Sequence, residues 1–380
     1  MSFWSIVLGT LLILVVLWDA FETIVLPRRV TRRLRLARLF YRYTWLLWTT
    51  FARSVPAGRR RENYLSFYGP LSLILLLCVW ATGLIAGFAI LQWGTGPGIN
   101  LPYATGGFGG VFYFSGTTFF TLGLGDITPR TPIARAFTAI ESGIGFGFLA
   151  LVIGYLPLLN QSFSRREVNI SLLDARAGSP PAASEMLRRH AQDHGMESLR
   201  QLLAEWERWS AEFLEIHLSY PVLAYFRSQH DNQSWLSCLT TIMDTSALVI
   251  AGIEDTGMPQ ARLTFAMARH AAVDLSQVFQ CAPRRPEYDR LPPADLARLR
   301  EFLEANGVRL KKGSEVERKL TELRNLYEPY VYSLSRYMCI TLPPWVSERS
   351  YLDNWETSTW ERKASHKKVI TSGKLRDEHF

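Results

Sequence analysis

Charge is what this sequence withholds. Lysine is absent from the first 160 residues of the 380-residue chain, and the 63 residues from Asn63 to Gly125 hold no Asp, Glu, Lys or Arg. Residues 1–18 and the 23 residues from Ser142 to Ser164 are uncharged as well. A membrane-spanning helix needs about 20 predominantly apolar residues, so each stretch qualifies as a span. The gaps exclude a wholly soluble protein, and a hydrophobic fraction of 48% excludes a disordered one. Cysteine is scarce too. Cys78, Cys238, Cys281 and Cys339 stand singly with no CxxC pair, which excludes a disulfide scaffold and offers neither a zinc ribbon nor a redox pair.

The charge that is present is unevenly placed. The formal net charge is +8; residues 1–160 hold 13 Arg against 5 acids, whereas residues 161–380 balance at 29 of each sign. Residues 28–61 alone carry 11 Arg and no acid. A basic cluster between two apolar spans follows the positive-inside rule, so no nucleic-acid partner is expected.

The first span runs over Phe3–Leu26 and is followed directly by Arg28 and Arg29. It lacks the basic start and small-residue end of a cleaved signal peptide. Residues 1–27 therefore read as a retained anchor, with the N-terminus outside and Arg28 in the cytoplasm of a cell whose plasma or inner membrane holds the chain. Within 28–61, Leu36, Leu39, Phe40, Tyr43, Leu46 and Leu47 recur at helical spacing, with Arg35, Arg38 and Arg42 on another face. This predicts an interfacial helix over 30–53, its Arg stems snorkelling to lipid phosphates. Regular arginines are also the mark of a voltage sensor, but seven Arg between 28 and 42 are too dense for hydrocarbon and no countercharged span precedes them. Asp19 and Glu22, one turn apart, read as ion-pair partners of Arg28, Arg29 or this helix.

A second span covers Ser66–Gln92, with Pro70 in its first turn, where the missing N–H costs little. An uncharged Gly- and Pro-rich turret follows over Trp93–Gly106, and a last span covers Pro132–Leu158. Alternation leaves the chain beyond 160 in the cytoplasm, in agreement with Arg165 and Arg166.

Between these spans lies a run that ends Thr121-Leu122-Gly123-Leu124-Gly125-Asp126. Its helical part, 109–120, is about 18 Å long at 1.5 Å per residue, half a bilayer. A half-helix followed by extended backbone between two full spans is a re-entrant pore loop, because non-helical backbone at that depth must line water or be buried in protein. The hexapeptide resembles the signature of the potassium channel family, usually written T-V-G-Y-G-D. The resemblance covers 66–160 and implies a bacterial-type two-transmembrane pore-loop channel. It also implies a selectivity filter in which the carbonyls of Thr121, Leu122, Gly123, Leu124 and Gly125 replace the hydration shell of K⁺. Gly123 and Gly125 can take positive φ, Thr121 can add a hydroxyl, and Asp126 sets a carboxylate at the outer mouth. The pore helix points its negative end at the central cavity. Thr118 and Glu141 are expected to support the filter, Glu141 through a hydrogen bond to the filter backbone or pore helix. Leu124 replaces the common Tyr and can offer only packing, against Phe112, Tyr113 or Phe119; a weakly selective cation channel is the alternative within the class. A filter needs four loops and the chain holds one, so a homotetramer is expected.

In this family the last span lines the pore and bends at a glycine. Gly143, Gly145 and Gly147 are hinge candidates, close packing being the other reason for them, and Pro157 is expected to break the helix at its cytoplasmic end.

Residues 161–380 read as all-α, with pieces at 182–217, 221–229, 233–253, 259–280, 293–305 and 314–338. Ser314 with Glu317 reads as a capping box. No alternating strand run appears, and no G-x-G-x-x-G follows a strand, so neither a Rossmann-type nor a cyclic-nucleotide β-roll sensor is supported. The apolar stretch Ser234–Ile253 reads as a bundle core, because Asp244 and several Ser and Thr interrupt it. His190 and His194 share a helix face, and His230-Asp231 loosely resembles the metal arrangement of helical phosphohydrolases. That makes a membrane-tethered, metal-dependent hydrolase or sensor the rival from another class. The tail, 341–380, carries Trp345, Trp355 and Trp360 and reads as irregular.

The expectation is an all-α membrane protein. Its domains are an anchor (1–27), an interfacial helix (28–61), a pore domain of potassium-channel fold (62–160), a helical cytoplasmic domain (161–340) and a tail. It would be no enzyme and would need no cofactor. Its partners would be K⁺, the lipid bilayer, its own copies and a cytoplasmic ligand that gates it.

Overall fold

The uncharged stretches become long helices. The structure, a computed structural model, describes residues 2–26, 35–56, 58–96, 98–100, 107–193, 195–229, 232–253 and 259–347. The chain divides into two compact units: Met1–Val55 with Tyr64–Gln161, and Pro56–Asn63 with Ser162–Phe380. Apart from a two-residue ladder and one isolated bridge, the regular structure of the described residues is helical.

In the first unit, α1 (Phe3–Ala20) ends in a π turn over Phe21–Val25 and packs along α4 (Tyr68–Gly94). The contact is tight. A Cβ on Gly9 would lie 2.7 Å from the Gly87 carbonyl oxygen, so the two backbones touch. Small residues permit such approach where lipid supplies no hydrophobic drive between helices. Val16, Leu76, Trp80, Leu84, Phe88 and Phe119 form the core around this seam.

Helix α2 (Leu36–Ser54) lies within the predicted interfacial segment, and it is held by the carboxylates of the first span. Asp19 is buried, accepts from Trp80 Nε1 at 2.9 Å, and accepts from the Ala37 amide at 3.0 Å, capping α2 from outside its own sequence. Glu22 accepts from Trp18 and pairs with Arg35 at 3.3 Å. Arg28 and Arg29 lie outside the described residues. Helix α2 has two apolar faces. One, with Trp45, Thr49 and Ala52, is buried, and Thr44 and the Tyr41 carbonyl meet the Tyr68 hydroxyl of α4. The other, with Leu39, Tyr43, Leu46, Leu47 and Phe51, is exposed.

Beyond α4, strand β1 (Ile99–Asn100) pairs antiparallel with β2 (Thr128–Pro129), joining the predicted turret to the segment after the filter motif. Between them stands α5 (Phe108–Phe119), and β2 leads into α6 (Pro132–Ala177). Helix α6 corrects an expectation: it does not break at Pro157 but runs through it. Proline removes one hydrogen bond, and the helix survives because Tyr155 and Leu159 flank it with buried contacts while Arg166, Ile170 and Leu173 are buried further on.

In the second unit α7 (Ala183–Asp193), α8 (Met196–Ser219), α9 (Trp235–Gly252), α10 (Pro259–Val278), α11 (Pro293–Ala305) and α12 (Ser314–Met338) form a bundle. α3 (Arg59–Ser66) begins in this unit and leads into α4. Three expectations are corrected. The helix expected over 182–217 is broken before Gly195, which takes φ +69°. The piece at 221–229 shrinks to a 3₁₀ turn, Pro221–Tyr225. The capping box does not form, because α12 starts from Gly313 with no side-chain cap. Every residue of α9 from Trp235 to Val249 is buried, so this apolar helix is the bundle's axis. Asp244 there meets Arg290 at 2.8 Å and accepts from the Tyr327 hydroxyl, and Arg290 and Arg324 lie over the buried Trp345 ring. Trp355 and Trp360 lie outside the described residues.

Candidate functional site

The site is built where α5 ends. Only 12 residues long, α5 is held from below by its own side chains. Ser115 Oγ lies 2.8 Å from the Ile85 carbonyl oxygen of α4, and Phe119 is buried against Phe148 of α6. The backbone then leaves the helix on tethers to its last turn. The Thr121 amide donates to the Thr118 carbonyl at 3.0 Å, and the Leu122 amide to the Thr117 carbonyl at 2.8 Å.

From Thr121 onward the backbone is unusual. Thr121 takes φ +58°, Gly123 +54° and Gly125 +81°, whereas Leu122 and Leu124 between them do not enter the left-handed region. In an extended strand successive carbonyls point to opposite sides; alternating left- and right-handed residues turn them to one side. Glycine adopts this readily, and Thr121 adopts it at a cost of the order of 1 kcal/mol. Residues Thr121 to Asp126 are exposed, Leu122 and Leu124 by 63% and 64%. Ile127 is buried and anchors the returning chain, which the Arg130 amide ties to the Gly98 carbonyl at 2.7 Å.

The comparisons with known proteins agree with this geometry. Residues 74–157, from within α4 to Pro157 of α6, match a family model described as "Ion channel". Residues 74–157 are an ion-channel domain. It is of the two-transmembrane, bacterial type. Over 241 residues the chain is 22% identical to an uncharacterized membrane protein, YdjJ, of Bacillus subtilis (strain 168), covering 62% of this chain and 69% of that protein. No solved structure matches. The chain is thus an all-α membrane protein with an ion-channel domain and an added helical unit, and the domain points to a channel rather than an enzyme.

Within this ion-channel domain lies a buried polar cluster on three helices. Glu141 of α6 is fully buried; its carboxylate accepts from Ser115 Oγ of α5 and from Gln92 Nε2 of α4 at 3.1 Å. Asp126 is exposed, within hydrogen-bonding reach of the Tyr113 hydroxyl of α5. The three glycines of α6 differ. A Cβ on Gly145 would lie 2.0 Å from the Phe119 carbonyl oxygen, so Gly145 is where α6 touches the end of α5. Gly143 and Gly147 have open space, and Pro157 is exposed.

Ser115, Gln92 and Thr117 do not stand out in the sequence, and Tyr113 does so only as a packing partner of Leu124. Glu141 carried the signal, since a carboxylate inside a span requires partners on its neighbours. Of the packing partners considered for Leu124, Phe119 is excluded because it is buried among α4, α5 and α6 of its own chain.

Metal ligation finds less. Among the described residues no group of three or more His, Cys, Asp or Glu side chains converges. His190 is buried on α7 with Nδ1 2.7 Å from the Met186 carbonyl, while His194, His230 and Asp231 lie outside the described residues.

Proposed function

We propose that this chain is a potassium-selective channel in the plasma or inner membrane, conducting K⁺ passively through a homotetrameric filter. The alternating left-handed φ at Thr121, Gly123 and Gly125 carries the reading. Four such loops around one axis give stacked rings of carbonyls that exchange with the water of a K⁺ ion at little net cost. Assembly is supported by what one chain leaves uncovered. Phe120, Leu122, Leu124 and Phe146 are large, apolar and exposed beside the filter, and three further copies would cover them. The C-terminal end of α5 adds about half a negative charge facing the cavity, and Asp126 adds a full one at the mouth. The N-terminus lies outside, the Arg-rich segment and the helical unit in the cytoplasm, and the helical unit gates the pore on binding a cytoplasmic ligand.

A weakly selective cation channel is the second reading, favoured by Leu124, which brings no hydroxyl to brace the filter. Reversal potentials of the purified tetramer in liposomes, under opposed K⁺ and Na⁺ gradients, separate the two. Strong K⁺ preference is expected. Equal permeability selects the second reading, and no flux of either ion through folded tetramer overturns both.

A further inference from the structure

The loop after α8 makes contacts that bundle packing alone does not call for. Arg166, on the continuation of the inner helix α6, is almost wholly buried, and its guanidinium is spread over fixed acceptors. Nη1 donates to the Leu223 carbonyl and Nη2 to the Phe226 carbonyl, each at 2.8 Å, while Nε donates to Glu167 at 2.9 Å. The Phe163 ring lies 4.9 Å from its centre, and that ring also meets Phe226. Glu167 in turn accepts from the Ser228 hydroxyl at 3.2 Å and the Gln229 amide at 3.4 Å. A buried charge persists only when paired and hydrogen-bonded throughout, so this stretch of α6 and the loop over 221–229 move as one body.

The next residue along the loop faces elsewhere. Arg227 Nη2 donates to the Met338 carbonyl at the end of α12 at 2.6 Å, and its Nε lies 3.8 Å from Glu62. Glu62 belongs to α3, which leads directly into the outer helix α4, and the segment Pro56–Asn63 is part of the helical unit. The Glu62 side chain is about one-third exposed, at 32%. The Arg227 side chain is 11% exposed, and without Glu62 it keeps the Met338 and Cys339 carbonyls. Glu62 is the more exposed member of the pair, and the pair joins this loop to α3.

We infer that the loop over 221–229 is a coupling joint, through which the helical unit holds the inner helix by Arg166–Glu167 and the entrance of the outer helix by Arg227–Glu62, and so sets the open fraction of the pore. This rests on the channel reading above. The filter carries permeation and the joint carries gating, so a change at the joint alters how often the pore opens and not what passes through it.

Single-channel recording of the full-length tetramer in K⁺ tests this. Glu62→Gln and Glu62→Arg are expected to change the open-to-closed ratio by about two- to five-fold for each copy that moves, the equivalent of a partly exposed ion pair. Unitary conductance and K⁺/Na⁺ reversal potential should stay at the wild-type value. The exchange Glu62→Arg with Arg227→Glu should bring the ratio back toward wild type. Open probability unchanged in both single variants, with tetramer and melting temperature intact, overturns the inference. A change in conductance or selectivity of similar size also overturns it, since the filter would then be the affected part. A wild-type tetramer that passes no ion removes the channel reading, and the inference with it, before any variant is made.

Discussion

The Ser115 hydroxyl of the pore helix donates to the Glu141 carboxylate of the inner helix, and Gln92 of the outer helix donates to the same carboxylate. One buried side chain thus ties together the three helices α4, α5 and α6. Removing it by Glu141→Ala leaves the buried Gln92 amide unmet, while the Ser115 hydroxyl turns its single proton to the Ile85 carbonyl, at a cost of about 1–3 kcal/mol. The expected result is a roughly five- to hundred-fold drop in the conductive fraction, with the tetramer still formed. Glu141→Gln should fall between, because the Gln92 amide can turn its unpartnered Oε1 toward the new donor. Open probability and flux of purified protein measure both. Wild-type behaviour of Glu141→Ala would remove the filter-supporting role.

The glycines of the inner helix separate packing from bending. Gly145→Ala forces a methyl to within 2.0 Å of the Phe119 carbonyl oxygen, and overpacking of this sort costs about 1–3 kcal/mol or more. It is expected to abolish conduction by displacing the last turn of α5. At Gly143 and Gly147 an added methyl meets nothing within the chain. Alanine there should leave assembly and selectivity unchanged and lower the open probability, the effect of stiffening a hinge. If Gly145→Ala conducts normally while Gly143→Ala does not fold, the two roles are reversed.

Most of the membrane-embedded frame was legible because charge-free stretches of span length have one use, and the pore motif fixed where the backbone had to leave the helix. The contact of α1 with α4 was legible too but went unread: Gly83 and Gly87 stand four residues apart on α4, a spacing that lets helices touch. What periodicity could not supply was the partnership of charges distant in sequence. Asp19 capping α2, Arg166 on the 221–229 loop and Asp244 on Arg290 each join residues separated along the chain by many turns. The extent of α6 was misjudged for a related reason, since proline breaks a helix only where the flanking turns lack other support. Glycine at 195 was readable as a break before α8, whereas the absent cap at Ser314 depends on one residue of register.

Asp244 and Arg290 offer a direct measure of the helical unit's core. Arg290 meets Asp244 at 2.8 Å and Glu328 at 3.3 Å, and both Arg290 and Asp244 are shut off from solvent. Asp244→Ala leaves the buried Arg290 with Glu328 alone and strips the buried Tyr327 hydroxyl of its acceptor, so it should destabilise the unit by about 3–5 kcal/mol. Asp244→Leu combined with Arg290→Met removes both charges and should recover much of that loss. Denaturant unfolding of the full chain in detergent, followed by helical circular dichroism, reads the difference. Additive losses in the double variant would mean that the two side chains do not act as a pair.

His217 predicts how the helical unit responds to acid. Its ring lies 4.0 Å from that of Phe213 and near Trp235, and its Nδ1 is 2.7 Å from the Phe213 carbonyl. Burial, reinforced by the nearby Arg166 cation, pushes its pKa from 6.5 down to about 3. The unfolded chain takes up a proton below about pH 6.5 that the folded chain refuses down to about pH 3. His217 therefore contributes its full stability above the unfolded value and loses it as the pH falls through that window, at about 1.4 kcal/mol per pH unit. His217→Phe keeps an aromatic ring against Phe213 and has no proton to bind. Between pH 6 and pH 5 the wild-type midpoint of denaturant unfolding should drop more steeply than that of His217→Phe, by the equivalent of one proton. Parallel midpoints across that interval would show that the acid response comes from other groups.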